Sequence, residues 1–368
     1  MNKLQEKINL IVQYYDDIDT KYSHRDRELY LRYISNMKFF GDISSSKDMF
    51  VNLMKVKTIN RLLISDHNIL SLSKIHNDNG NTFPCIYVTL HLGAYQIIPD
   101  YLLFKGVNIC IPVTHRVYME QFDDYMTQFE LIKKKRNAEF ELTDIEDTSG
   151  LIKLIKCIKR GYSLLFYIDG NSGVGGMERT DDKLISVDFM KKQIMARKGL
   201  GFLSYKFQLP IQPIITYVDI NKLRPEIIFL RQLSVDSSSQ NKELYEECVT
   251  KEIWHIFQEY IKSVPDQWEG WLYVETFLKK GKMSKISFDV DKPFKFNSVR
   301  YDFLIKEKIK YLYDMQNNVL LKLSDTLYSY VNNLHLKKDI LTMRQIQYIL
   351  RKDSLINDIL EHNILINI

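Results

Sequence analysis

Long apolar runs are missing from this 368-residue chain. No stretch approaches the roughly 20 apolar residues that a membrane span requires. The opening Met1-Asn2-Lys3-Leu4-Gln5-Glu6-Lys7 lacks the basic-then-apolar order of a secretory signal. Cysteine is scarce, with Cys85, Cys110, Cys157 and Cys248 alone. None forms a Cys-x-x-Cys pair and none has a histidine at ligand spacing, so the sequence offers no metal site. These four read as small core hydrophobes of a reducing compartment. The expectation is a cytoplasmic protein, soluble or peripheral to the inner face of a membrane. A large charge of one sign is lacking too. The net charge of +5 is spread along the chain, which argues against a nucleic-acid partner. It leaves room for an acidic carrier protein, a phosphate-bearing substrate or an anionic membrane surface. Two catalytic signatures are also absent. Asp169-Gly170-Asn171-Ser172-Gly173-Val174-Gly175-Gly176 lacks the Gly-Lys-Ser/Thr ending of a phosphate loop, and no Gly-x-Ser-x-Gly elbow occurs.

What is present is a globular composition, 45% hydrophobic and 26% charged. Residues 1–75 carry apolar residues at helical spacing (Leu4, Ile8, Ile11 and Val12, then Leu29, Tyr33 and Met37), which predicts an N-terminal helical region. After the polar cluster His76–Asn81 the pattern changes. Compact β-branched and apolar runs over 85–90, 107–113, 162–168, 211–218 and 227–230 predict strands, and 118–132 and 151–159 predict helices between them. The acidic stretch from Glu139 to Asp147 reads as a solvated loop. Alternating strands and helices predict an α/β core over 76–280, a mostly parallel sheet flanked by helices. From about 298 the spacing again predicts helices, so 281–368 is expected to be a helical C-terminal appendage.

In parallel sheets, chemistry collects beyond the carboxyl ends of the strands. His91 and Asp169 each fall just past the end of an apolar run. A histidine near its ordinary pKa of about 6.5 takes a proton from a nucleophile at neutral pH. Gly93 permits a tight turn after it, and Gln96 follows five residues on.

His91-Leu92-Gly93-Ala94-Tyr95-Gln96 resembles the His-x4-Asp/Glu motif of the lysophospholipid acyltransferase-like superfamily, and most of all its lipid A biosynthesis branch. Further blocks follow in that family's order. Arg116 in Thr114-His115-Arg116-Val117-Tyr118 resembles the second-block arginine, and Asp169-Gly170-Asn171 resembles the acidic third block. Phe189 with Lys198-Gly199, Leu209-Pro210-Ile211-Gln212-Pro213-Ile214 and Gln267-Trp268-Glu269-Gly270-Trp271-Leu272 complete the set, so the likeness spans about residues 80–278. The resemblance implies a glycerolipid acyltransferase-like fold and an enzyme that moves a fatty acyl group from an acyl thioester, on coenzyme A or acyl carrier protein, to a hydroxyl or amine. It needs no cofactor beyond that donor. His91 would be the general base, Gln96 would orient it, and Arg116, Asp169, Gly170 and Asn171 would line the substrate site, with backbone N–H groups near Gly93 or Gly170 as oxyanion donors. The chain departs from the motif at Gln96, which offers no negative charge. Three readings follow: an acceptor that needs less activation, such as an amine; a replacement carboxylate, Asp100 or Asp169; or a non-catalytic relative that binds an acyl chain or carrier protein.

Overall fold

The computed structural model describes residues 2–16, 24–41, 47–63, 73–78, 84–136, 138–170, 183–222, 224–235, 241–278, 289–315, 317, 319–351 and 353–368. The chain divides into two units, Met1–Asp16 with Phe40–Lys279, and Asp17–Phe39 with Lys280–Ile368.

The first unit is built on a seven-stranded sheet. Its strands are β1 (Lys74–His76), β2 (Ile86–Thr89), β3 (Ile109–Val113), β4 (Phe140–Asp144), β5 (Ser163–Tyr167), β8 (Ile211–Asp219) and β9 (Arg224–Phe229), in spatial order β1-β9-β8-β2-β5-β3-β4. All neighbours are parallel except β8 and β9, which are antiparallel. Helices α4 (Ile98–Phe104), α5 (His115–Arg136) and α6 (Gly150–Lys159) connect β2 to β3, β3 to β4 and β4 to β5. This is the mostly parallel α/β architecture expected. The central strand β2 reads Ile-Tyr-Val-Thr and is buried at every residue, because helices cover both sheet faces and no face needs polar residues.

Two departures have simple causes. Phe140–Asp144 is not solvated loop but the edge strand β4. Leu142 and Thr143 are buried while Glu141 stays half-exposed on the open edge, where a charge discourages further strand pairing. Next, Leu184–Phe189 (β6) and Lys192–Arg197 (β7) form an antiparallel hairpin. Val187, Phe189, Ile194 and Ala196 alternate inward at a period of two. Phe189 meets Trp254 of α8 (Lys242–Ser263) edge-on at 5.7 Å between ring centroids, and Trp268 at 5.4 Å. Helix α7 (Gly199–Phe207) runs between the hairpin and β8.

Residues 1–75 do not form a single region. Helix α1 (Asn2–Asp16) sets Tyr15 against Phe50 of α3 (Lys47–Leu63) at 5.5 Å, within the first unit. Helix α2 (His24–Asn36) belongs to the second unit, where Arg27 pairs with Asp302 at 2.9 Å. The C-terminal part of that unit carries helices α9 (Asp325–Lys337), α10 (Met343–Leu350) and α11 (Asp353–Glu361), and strands besides them. Tyr301–Lys306 (β11), Ile309–Asp314 (β12) and Val319–Leu323 (β13) form one antiparallel sheet. Phe294–Phe296 (β10), Ile340–Leu341 (β14) and Leu365–Asn367 (β15) form another. Its core gathers Phe294, Tyr301, Leu312, Ile346 and Leu365, and a buried Arg300–Asp314 pair at 2.7 Å ties the start of the first sheet to the end of its second strand.

Candidate active site

The site begins with strand register. Parallel neighbours place registered residues side by side, about 4.8 Å apart. In the β2–β5 pair Thr89 stands opposite Tyr167. His91 and Asp169 each lie two residues farther along, so the sheet delivers them together. Nδ1 of His91 meets Oδ1 of Asp169 at 2.7 Å, and the backbone N–H of His91 donates to both carboxylate oxygens at 3.1 and 3.0 Å. The carboxylate is fully buried, while a quarter of the imidazole side chain, 26%, remains exposed.

A buried charge needs donors on its remaining lone pairs. Trp268 supplies one from its indole Nε1 to Oδ2 at 2.7 Å, and the Tyr273 hydroxyl reaches the same oxygen at 3.5 Å. Trp268 arrives from 99 residues away, and each member of its segment has a task. The Gln267 side chain clasps the backbone of Val218, accepting from its N–H at 2.8 Å and donating to its carbonyl at 3.0 Å. The Gln267 carbonyl accepts from Gly93 N–H at 3.1 Å, and Glu269 N–H donates to the His91 carbonyl at 2.9 Å. Gly270 leaves space that the Trp268 indole fills, where any Cβ would overlap the ring. Trp271 packs on Trp268 at 4.9 Å and donates to Pro265. Substituting Trp268→Phe keeps most of the apolar contact but removes the shortest of the hydrogen bonds that Oδ2 accepts. The expected cost is about 1–3 kcal/mol of stability, read from urea unfolding against wild type.

Gly93 forms the turn after His91 with φ +58°. A Cβ there would overlap the carbonyl of Thr216 and the backbone of Tyr217 on β8. Thr216 in turn donates its hydroxyl to the Leu92 carbonyl at 2.6 Å, and buried Asn60 of α3 donates to the Gly93 carbonyl at 2.6 Å. The backbone on both sides of the imidazole is thus fixed by three separate elements.

Aromatic rings flank the imidazole. Tyr95 meets it edge-on at 4.7 Å, and Tyr167 lies over it at 5.2 Å with a 34° tilt. The Tyr95 hydroxyl donates to Glu269 at 3.4 Å, and Glu269 pairs with Lys57 of α3. Burial depresses the imidazole pKa, but the charge and hydrogen bond of Asp169, helped by Glu269, more than reverse this, so His91 holds its proton above the ordinary value. Burial likewise keeps Tyr95, Tyr167 and Tyr273 protonated well beyond the usual phenol range. Because the folded imidazole pKa exceeds the unfolded one, the protonated pair adds stability that is full below pH of about 6.5. That contribution fades as pH rises through the folded value.

Not every residue expected at the site is there. Gln96 does not orient His91. It sits in the 3-10 turn Tyr95–Ile97, and its Oε1 is buried without a hydrogen-bond partner among the described residues. The imidazole Nδ1 is already taken from the neighbouring strand. Asp169, one of the two carboxylates expected as a replacement, holds that place; Asp100 lies in the first turn of α4. The N–H of Gly93 is committed to Gln267, which removes it as an oxyanion donor. Gly170 follows Asp169 directly, and Asn171 lies outside the described residues. Arg116 opens α5 with its side chain 77% exposed, paired to Glu120 one turn along at 2.9 Å. Nothing in the sequence marks a role for Lys57, Tyr95, Tyr167, Glu269 or Tyr273, and Trp268 stands out there only as part of a block. Among the described residues no group of three His, Cys, Asp or Glu side chains is placed to hold a metal ion, and no helix is long and apolar enough to cross a membrane.

No protein-family model and no curated protein matches this chain. Among solved structures it is similar to the 1-acyl-sn-glycerophosphate (LPA) acyltransferase PlsC from Thermotoga maritima, at 13% identity and a TM-score of 0.29, over 69% of this chain and 98% of that one.

Proposed function

We propose that this chain is an acyltransferase that moves an acyl group from a thioester donor to a hydroxyl acceptor, with His91 as general base. The observation that carries this reading is the bond from His91 Nδ1 to the buried carboxylate of Asp169. A carboxylate on Nδ1 fixes the imidazole tautomer and leaves Nε2 as the basic nitrogen. It also stabilises the imidazolium that forms when Nε2 takes a proton. An acceptor hydroxyl losing its proton to Nε2 attacks the thioester carbonyl, a tetrahedral oxyanion forms, and the C–S bond breaks to release a thiolate. With a thiol pKa near 8.5, that thiolate leaves without a strong acid. The imidazolium proton then reaches the thiolate or solvent. Gly170, beside the dyad, is the candidate oxyanion donor. The ordered blocks from His91 to Leu272 point the same way. A missing acid at Gln96 would favour an amine acceptor, but Asp169 supplies the charge from another strand, so hydroxyl activation is the better reading. The choice between coenzyme A and an acyl carrier protein as donor belongs to the proposal too.

The test is to incubate purified protein with acyl-coenzyme A or acyl carrier protein thioester and a panel of alcohols and amines, reading free thiol and the intact mass of the acceptor. Thiol release matched by an acylated alcohol supports the reading. Tight thioester binding without turnover would favour a binding protein instead. Only neutral Nε2 accepts a proton, so activity should rise with pH through the elevated pKa of His91. The limb in kcat/KM should lie above pH of about 6.5 and move to lower pH in Asp169→Asn. A limb below that value would remove His91 from the role of base.

A further inference from the structure

The segment from Leu336 to Arg351 in the second unit leaves uncovered what a folded chain ordinarily hides. Leu336 is 68% exposed, Ile340 60%, Tyr348 75% and Ile349 43%. Leu336 lies in the last turn of α9, Ile340 in β14, and the other two on α10. Leu341, Arg344, Gln345, Tyr348 and Ile349 line an open hollow of about 400 Å³. Around these apolar side chains stand Lys337, Lys338, Arg344 and Arg351, all exposed, against one acid, Asp339. Among the described residues no carboxylate pairs with any of the four cations, and Arg351 lies 5.8 Å from the Tyr348 ring centroid.

We infer that this segment docks the protein on an anionic lipid surface. Large apolar tips ringed by unpaired cations match the acyl boundary and headgroup charge of such a surface. Long basic side chains lay their stems along apolar neighbours and carry the charge outward. A protein partner fits less well. Stable protein interfaces take roughly 20–30 residues a side, whereas the exposed residues between Leu336 and Arg351 fall short of that. The backbone points the same way at two positions. Lys338 and Arg351 end their helices in the left-handed region, at φ +53° and +52°, where glycine is ordinarily preferred. The helix C-terminus favours a cation there, and Arg351 lies beside the Tyr348 ring.

The inference stands apart from the catalytic reading and is tested without turnover, by sedimenting the full chain with sucrose-loaded phosphatidylcholine vesicles made with and without phosphatidylglycerol. The protein should bind the anionic vesicles and largely ignore the neutral ones, and added salt should release it. Tyr348→Ser with Ile349→Ser should abolish binding with an unchanged circular dichroism spectrum. Lys338→Gly and Arg351→Gly should each weaken it about fivefold while melting no lower than wild type, which separates lost charge from lost fold. Failure to bind anionic vesicles, or equal binding to neutral ones, overturns the proposal. So does a concentration-dependent dimer that Tyr348→Ser dissolves, since the patch would then be covered by a second copy.

Discussion

On the proposed role of His91 as general base, replacing it by Ala should lower acyl transfer by about 10²–10⁴-fold, the range that a positioned general base contributes. The imidazole is partly exposed and, among the described residues, makes its side-chain bond at Nδ1, so the variant should fold. Asp169→Asn should cost a similar amount, about 10³–10⁴-fold, because an amide can hold the imidazole in the wrong tautomer and offers no charge to the imidazolium. Here the substitution has a second effect. Both carboxylate oxygens accept: Oδ1 from the ring and backbone of His91, Oδ2 from the same backbone N–H and from Trp268. Whichever way an Asn amide is turned, its NH₂ faces a donor. Asp169→Asn should therefore also lose about 1–3 kcal/mol of stability, and His91→Ala, which takes the ring donor from Oδ1, should share part of that loss. Gln96→Ala removes a side chain with no bond to the imidazole and should leave the pH profile in place. Measuring kcat, kcat/KM and denaturant midpoints for the three variants together checks this. Wild-type turnover in Asp169→Asn would take the dyad out of the mechanism.

Gly93→Ala should be strongly damaging for a change of one methyl group. The residue holds φ +58°, and the new Cβ would overlap the backbone of Thr216 and Tyr217. Backbone cannot swing aside as a flexible side chain can, so β2 and β8 would have to part. Left-handed strain and overpacking each cost about 1–3 kcal/mol, and here they act together. The loss of about 2–6 kcal/mol expected from their sum should appear as a large drop in thermal midpoint, or as protein recovered only in insoluble form. A soluble Gly93→Ala variant with unchanged stability would mean that β2 and β8 approach less closely than described.

The sequence made the sheet legible because its central strands are nearly continuous apolar runs. Ile86–Thr89 and Ser163–Leu165 have no exposed face, so no alternation blurs their ends. Knowing the ends placed His91 and Asp169 at one edge of the sheet. The choice between Gln96 and Asp169 as the imidazole's partner was not legible. It depends on which strand lies beside β2 and in what register, a non-local fact that local spacing cannot encode. Trp268 was hidden for the same reason, and buried Asn60 more so, since nothing near it in the chain marks it. The strands of the second unit were not legible for a different cause. Burial along β11 and β12 does not alternate at a period of two. Their mixed apolar and charged residues then fit a helical period as readily as a strand's.

The matched step beyond β2 and β5 also decides how this site can vary. The 78 residues separating Thr89 from Tyr167 also separate His91 from Asp169, yet the number itself is incidental. Helices and loops between the strands can lengthen or shrink without moving the pair, so long as each side chain stays two positions past its strand. One residue gained or lost inside either strand would turn a side chain to the opposite face of the sheet and separate imidazole from carboxylate while leaving both in the sequence. A chain sharing this chemistry is therefore to be sought by counting outward from strand ends, not by a fixed interval between a histidine and the acid that follows it.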